Sequence, residues 1–202
     1  MHPFLIDLPY FRLPTYGVLV ALAIALGWWW IQRNAGRDGL DREAAASATF
    51  WGVVGGIVGG KLGLIAVEFP SFVRDPGQLF SMDFVRAAGL IWTGIVGGAI
   101  GFVVAAHRGG LPILRLLDAA AVPLPVCQAI GRVGCLMAGC CYGAACRLPW
   151  AVVYRSAEAN SRTGVPLGVP LHPAPLYEAL WSVVVVLPAL LAMRRRTNRA
   201  PG

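Results

Sequence analysis

Charge is scarce in this chain. Asp, Glu, Lys and Arg make up 13% of its 202 residues, while hydrophobic residues make up 57%. A soluble globular domain carries about 25% charged residues, so a water-facing fold is excluded, in keeping with the mean hydropathy of +0.65. A second shortage is of polar sequence. No polar tract is long enough to fold as a separate soluble domain, so a single domain over 1–202 is expected. The formal net charge is +7, but these charges do not cluster on a polar surface, so nucleic acid is not expected as a partner. Met1 to Pro14 holds only Arg12 and Asp7 besides His2. It lacks the basic start and small-residue cleavage site of a secretory leader, and the first apolar run is expected to be retained. No C-x-x-C pair occurs among the five cysteines, so a zinc module, and a metal or cofactor generally, is not expected.

What the chain has instead is apolar runs near the roughly 20 residues that cross a bilayer. Five are drawn, at 15–31, 44–69, 87–106, 118–142 and 175–193, which predicts an all-α, polytopic membrane protein. The second is interrupted by Lys61. The fourth is broken by Pro123 and Pro125 and carries Arg132. These two exceed a straight crossing, so kinks or irregular segments are expected there. Trp28-Trp29-Trp30 near the end of the first run suits the headgroup layer. With the N-terminus outside, the inner segments hold nine arginines: Arg33, Arg37, Arg42, Arg108, Arg115, Arg194, Arg195, Arg196 and Arg199. The outer segments hold six: Arg12, Arg74, Arg86, Arg147, Arg155 and Arg162. The bias predicts an N-out, C-in orientation.

Two glycine stripes repeat one pattern, Gly52-x-x-Gly55-Gly56-x-x-Gly59-Gly60-x-x-Gly63 and Gly94-x-x-Gly97-Gly98-x-x-Gly101. Small residues three and four apart line one helix face and let backbones approach, so the second and third spans are expected to pack together. The outer loop at 144–173 is the longest connection. It is read either as a lid over a membrane site or as a tolerated surface excursion. Trp150 to Tyr154 within it suggests a short strand or interfacial segment.

Arg132 is the strongest chemical signal. A guanidinium at membrane depth costs about 2.5–3.5 kcal/mol on insertion scales unless it is paired or hydrated. Its fork suits a phosphate, and flanking glycines permit close approach. The alternative is a structural pair with Glu68, Asp118 or Glu178. Lys61 is read as a phosphate contact or a snorkelling cation. His172, beside Pro173, is read as a hydrogen-bonded structural residue or a base. Glu178 is read as a partner for Arg132 or a helix cap. Tyr16 is read as a headgroup donor or a member of the aromatic belt. Cys135, Cys140, Cys141 and Cys146, with Cys127 just before, fall on the outer side, where disulfides persist. Simple packing or a Cys141–Cys146 bridge is the leading reading, thiol redox chemistry comes next, and a metal site comes last.

Gly131-Arg132-Val133-Gly134, with Gly139 in the same block, resembles the signature segment of prolipoprotein diacylglyceryl transferases. The flanks agree. Thr15-Tyr16-Gly17, Gly59-Gly60-Lys61-Leu62-Gly63 with Glu68-Phe69-Pro70 and Asp75-Pro76, Leu148-Pro149-Trp150-Ala151-Val152, and His172-Pro173-Ala174-Pro175-Leu176-Tyr177-Glu178 match in order. The resemblance implies transfer of a diacylglyceryl group from phosphatidylglycerol to the lipobox cysteine thiol of a prolipoprotein. Arg132 would hold the phosphate and act as the catalytic cation. Tyr16, Lys61, Gly134, Gly139, His172, Tyr177 and Glu178 would serve substrate or lipid binding. The implied partners are phosphatidylglycerol, a prolipoprotein signal peptide and membrane lipids, with no cofactor, in a bacterial inner (plasma) membrane. The sequence departs from the family pattern. Trp92 stands at the family's His and Thr93 at its Gly, and Cys135 and Cys140 replace a common Asn and Glu. Two further family spans, with a second arginine, have no counterpart here, which leaves open a partner chain that supplies them. Two rival functions follow: a non-catalytic relative that binds anionic lipid or lipoprotein, and a membrane thiol oxidoreductase using the Cys135–Cys146 cluster.

Overall fold

A computed structural model describes residues 4–8, 10–81, 84, 85, 87 and 89–197. His2, Arg86 and Arg199 lie outside the described residues, as do the side chains of Arg195 and Arg196. The chain is an all-α membrane protein. Its long helices are α1 (Thr15–Arg37), α2 (Arg42–Val67) and α4 (Ile91–Arg108), with the short α3 (Phe69–Arg74) and a 3-10 turn (Pro76–Phe80) between the last two. Next come α5 (Ile113–Ala121) and α6 (Pro123–Ala138), then the small α7 (Ala157–Thr163). The final helix runs as α8 (Ala174–Trp181), a π turn (Ser182–Val186) and α9 (Leu187–Thr197). Among the described residues, four helices are long and apolar enough to span a bilayer, and α5 with α6 makes a fifth candidate bent by 48°.

Apolar length is what located these helices, and local chemistry sets their ends. The fourth run was drawn over 118–142, but its helix begins at Ile113 and stops at Ala138. The break falls at Pro123, which has no N–H to continue a helix and opens α6 at its first position. Pro125 lies in that first turn, where the backbone N–H groups have no intrahelical partner, so it causes no second break. Gly139, at φ 82°, closes the helix in the left-handed conformation. The second run ends at Val67 rather than Phe69, because Pro70 starts a new short helix.

Burial is inverted relative to a soluble protein. Many of the buried apolar residues are alanines, including Ala23, Ala35, Ala45, Ala48, Ala106, Ala119 and Ala129. Ile57, Leu62, Ile95, Ile100, Leu180 and Val184 are exposed. Lipid rewards such a pattern, since large apolar side chains gain nothing by leaving it and small ones let helices close up.

The described residues form two compact units, one from Met1–Gly27 and Ala120–Gly202, the other from Trp28–Ala119. In the Trp28–Ala119 unit the glycine stripes of α2 and α4 meet, as expected from their spacing. A Cβ built on Gly55 would lie 2.3 Å from Gly97 O, and one on Gly97 would lie 2.4 Å from Gly55 O. The two backbones therefore touch with no side chain between them. Buried Asn34 donates to Ala119 O at 3.0 Å, which satisfies an amide that would otherwise be costly in a dry interior.

In the other unit, strands β1 (Phe4–Leu8) and β2 (Phe11–Pro14) form an antiparallel hairpin before α1. Arg162, on α7, lies 5.3 Å over the Phe4 ring and pairs with Glu158 at 2.7 Å. The loop at 144–173 has a core of its own. Strand β3 (Val152–Val153) pairs with β4 (Pro170–Leu171), and Tyr154, Ala159, Val165 and Leu171 pack as a buried cluster. The sequence suggested the strand, but it did not show α7 or this small core.

Candidate functional site

The site grows from the C-terminal half of α6 and the first turns of α8. Arg132 Nη2 lies 2.8 Å from Glu178 Oε2, so of the three acids considered for it, Glu178 is its partner. The pair is accessible: 29% of the arginine side chain and 46% of the glutamate remain exposed. A guanidinium has five N–H donors, and the contact to Glu178 uses one nitrogen. The fork therefore keeps donors for a second anion. A Cβ on Gly131 would meet nothing within 4 Å, so the helix face beside Arg132 is open.

The neighbouring glycines do structural work. A Cβ on Gly134 would lie 3.2 Å from Tyr16 Cδ2, so the missing side chain admits the ring of Tyr16 from α1. Gly139 supplies the left-handed cap, and a Cβ there would also crowd Ala159 and Tyr154 at 3.3 Å. The last turn of a helix leaves carbonyls without partners, and the 144–173 loop fills this need. Tyr154 Oη donates to Leu136 O at 3.0 Å, and Thr163 Oγ1 donates to Gly139 O at 3.0 Å. Burial, with a lesser effect of the Cys140 and Cys135 sulfurs, pushes the Tyr154 hydroxyl up to about 12. The loop thus holds the end of the helix that carries Arg132.

Beside Glu178, Tyr177 is a hub. Trp150 Nε1 donates to Tyr177 Oη at 2.8 Å, and His172 Nδ1 lies 3.1 Å from the same oxygen. His172 is fixed by its backbone as well: its N–H donates to Ala144 O at 3.0 Å, and its carbonyl accepts from Gly143 N at 3.0 Å. Trp150 was read from sequence only as part of a strand-like or interfacial segment. Its indole nitrogen gave no sign there of a tyrosine 27 positions away.

Lys61 belongs to the Trp28–Ala119 unit. Its ammonium donates to the carbonyls of Phe84, Val85 (3.3 Å) and Ala87 (2.6 Å) and sits 4.6 Å over the Phe84 ring. An ammonium has three donors, and these carbonyls take them, so the side chain fastens the segment before α4. Trp92 is 74% exposed. Thr93 donates to Leu90 O at 3.0 Å and fills the space left by Gly63.

The cysteines correct one expectation. All five are free, so no Cys141–Cys146 bridge forms. The reason lies in the turn after α6. Cys141 has φ 59°, and its sulfur gathers with those of Cys135 and Cys140, all within 4.8 Å of one another. The backbone N–H of Cys146 donates instead to Pro170 O at 2.9 Å. Cys127 packs, with its sulfur 3.2 Å from Ala23 O. The sequence offers redox and metal readings for the cysteines between 135 and 146 without saying which sulfurs meet, because the left-handed turn at Cys141 is not apparent from residue types.

These features define a polytopic helical membrane protein with one accessible arginine–carboxylate pair at the end of a bent span. The chain belongs to the prolipoprotein diacylglyceryl transferase family, whose profile matches residues 3–202. It is 28% identical over 187 residues to the phosphatidylglycerol–prolipoprotein diacylglyceryl transferase of Clostridium tetani, covering 92% of this chain and 71% of the relative. It is 30% identical over 176 residues to the second such transferase of Clostridium perfringens, covering 87% and 66%. With the Leifsonia xyli protein of the same name it shares 28% over 199 residues, covering 94% and 60%. The chain thus spans roughly two thirds of the length of these relatives.

Proposed function

We propose that this chain moves a diacylglyceryl group from phosphatidylglycerol to the lipobox cysteine thiol of a prolipoprotein in a bacterial inner membrane, with its N-terminus outside. The observation that carries the reading is the accessible Arg132–Glu178 pair, set on a helix end that the outer loop holds in place. In the reaction the substrate sulfur attacks the terminal glyceryl carbon. The S–C bond forms as the C–O bond to phosphate breaks, and glycerol phosphate leaves with the electron pair. Negative charge shifts onto the leaving phosphate, where a fixed guanidinium stabilises the transition state more than the ground state. The thiol proton must go to a base, because the thiolate is the nucleophile. Trp92 has no lone pair to offer. In this reading His172 takes the role: with Nδ1–H donating to Tyr177 Oη, its Nε2 lone pair is free.

The test is direct. Full-length protein, phosphatidylglycerol vesicles and a lipobox peptide are incubated, and the peptide is weighed. A mass gain of one diacylglyceryl unit with release of glycerol phosphate supports transfer. Arg132→Lys keeps the charge but loses the fork, and the rate is expected to fall on the order of 10²-fold. A wild-type chain that retains lipid yet leaves the peptide unmodified overturns the enzymatic reading and favours a non-catalytic relative. The resemblance, which sets Trp92 where the family has a histidine, favours that side.

A further inference from the structure

The three thiols at the end of α6 are not used by the proposed reaction, in which the reacting sulfur belongs to the substrate. Their geometry is nevertheless specific. Cys135 sits in the last turn of α6. Gly139 (φ 82°) and Cys141 (φ 59°) then both take the left-handed conformation. Among the described residues Cys141 is the only non-glycine with positive φ, a state that costs an L-residue about 1–2 kcal/mol. The two left-handed steps fold the chain back on its own helix. The backbone N–H of Cys140 donates to Cys135 O at 3.1 Å, and its sulfur lies 3.7 Å from the same oxygen. All three sulfurs then lie within 4.8 Å of one another. Tyr154 and Thr163 hold this turn from the outer loop.

We propose that Cys135, Cys140 and Cys141 form a trithiolate site for a thiophilic d¹⁰ cation of the Zn²⁺ or Cu⁺ type. Thiolate is the soft ligand that selects such ions. A tetrahedral zinc with bonds of about 2.3 Å needs sulfurs about 3.8 Å apart, so a contraction of at most about 1 Å, well within a χ1 adjustment, closes the site. Cys135 and Cys140 are half-buried and Cys141 is exposed, which gives the ion a route in and leaves a fourth position for water or another donor. Binding replaces three S–H bonds by three S–metal bonds and releases three protons, with no change of oxidation state. Arg132, one turn before Cys135, contributes positive charge beside the anionic thiolates. Packing alone does not account for the arrangement, because the exposed Cys141 fills no core and yet holds a costly backbone conformation. Cys127 and Cys146, elsewhere in the same unit, serve as internal controls. The bound ion would staple the helix end that carries Arg132.

Cd²⁺ is the probe, titrated into the reduced full-length protein in detergent and followed by its thiolate charge-transfer absorption. One equivalent per chain is expected, with three protons released and three of five thiols protected from a thiol reagent. Competition by Zn²⁺ and by chelator-buffered Cu⁺ then distinguishes the two native candidates. Cys135→Ser, Cys140→Ser and Cys141→Ser should each weaken binding by more than the roughly 10–100-fold that loss of an outer-shell contact costs. Cys127→Ser and Cys146→Ser should leave it unchanged. Cys141→Ser is decisive because its exposed side chain can be replaced without opening the core, and the metal-free melting temperature of each variant is read alongside. Absence of saturable one-equivalent binding, binding that survives Cys141→Ser, or equal loss in the two control variants would overturn the assignment.

Discussion

Replacing Gly97 by alanine tests whether the α2–α4 pair rests on backbone contact. The new Cβ would lie 2.4 Å from Gly55 O and 3.0 Å from Gly59 Cα. Ordinary contact needs about 3.5 Å, so the helices must part by about 1 Å. Overpacking of this kind costs about 1–3 kcal/mol. Against it stands the better helix propensity of alanine, up to about 1 kcal/mol. The net loss therefore lies between about 0 and 3 kcal/mol. Gly56→Ala is the matched control, since its Cβ would meet nothing closer than Gly94 O at 3.5 Å. It keeps the propensity gain without the clash, and the difference between the two variants isolates the contact at about 1–3 kcal/mol. For a chain of this length each kcal/mol moves the melting temperature by about 2–4 °C. Far-ultraviolet circular dichroism melts in one detergent measure it. If Gly97→Ala melts with Gly56→Ala or above it, the helices are not in backbone contact and the reasoning fails.

Three more outcomes follow from single contacts. Tyr154→Phe removes the hydroxyl that satisfies Leu136 O and should destabilise the protein by about 1–3 kcal/mol in a denaturant or thermal series. The same hydroxyl gives a pH dependence. Its folded-state pKa, raised to about 12, favours the neutral form, so its contribution is complete below the ordinary tyrosine value of about 10 and is lost as pH rises through 12. A pH-stability profile of the Phe variant should lack that component. Lys61→Met frees the carbonyls of Phe84, Val85 and Ala87; limited proteolysis should then cut near residue 85 at least several times faster, and an unchanged cutting rate would show that the ammonium fastens nothing there.

Much of the fold was legible because membrane helices declare themselves by length and apolarity. The glycine stripes went further and named the helix pair, since residues that lack side chains leave backbone as the only possible contact surface. The bend in the fourth span was visible in Pro123, because a missing N–H is a property of the residue itself. Arg132 stood out for the same kind of reason, a cation where cations are expensive. Its partner did not. Glu68, Asp118 and Glu178 are equally acidic as letters, and only the packing of α8 against α6 separates them. The run of cysteines was plain in the sequence, but which of them meet was not, for a related cause. Cys141 adopts a conformation that residue type disfavours, so nothing in the spacing announces that 135, 140 and 141 converge. The β1–β2 hairpin also escaped notice because its strands are short, and the core around Tyr154 because its members are spread from residue 154 to 171.

The π turn at Ser182–Val186 has a consequence for how the last helix can change. Such a turn places one surplus residue in an otherwise regular ladder, and at 3.6 residues per turn one residue is about 100° of rotation. In a regular helix the loss of one residue turns everything beyond it by that angle; here excising a single valine would restore uniform winding with the side chains beyond it near their present bearing, because the wide turn had absorbed that residue. The wide coil thus acts as slack, letting the last helix lose one residue without turning either its lipid-facing surface or the acid that meets Arg132.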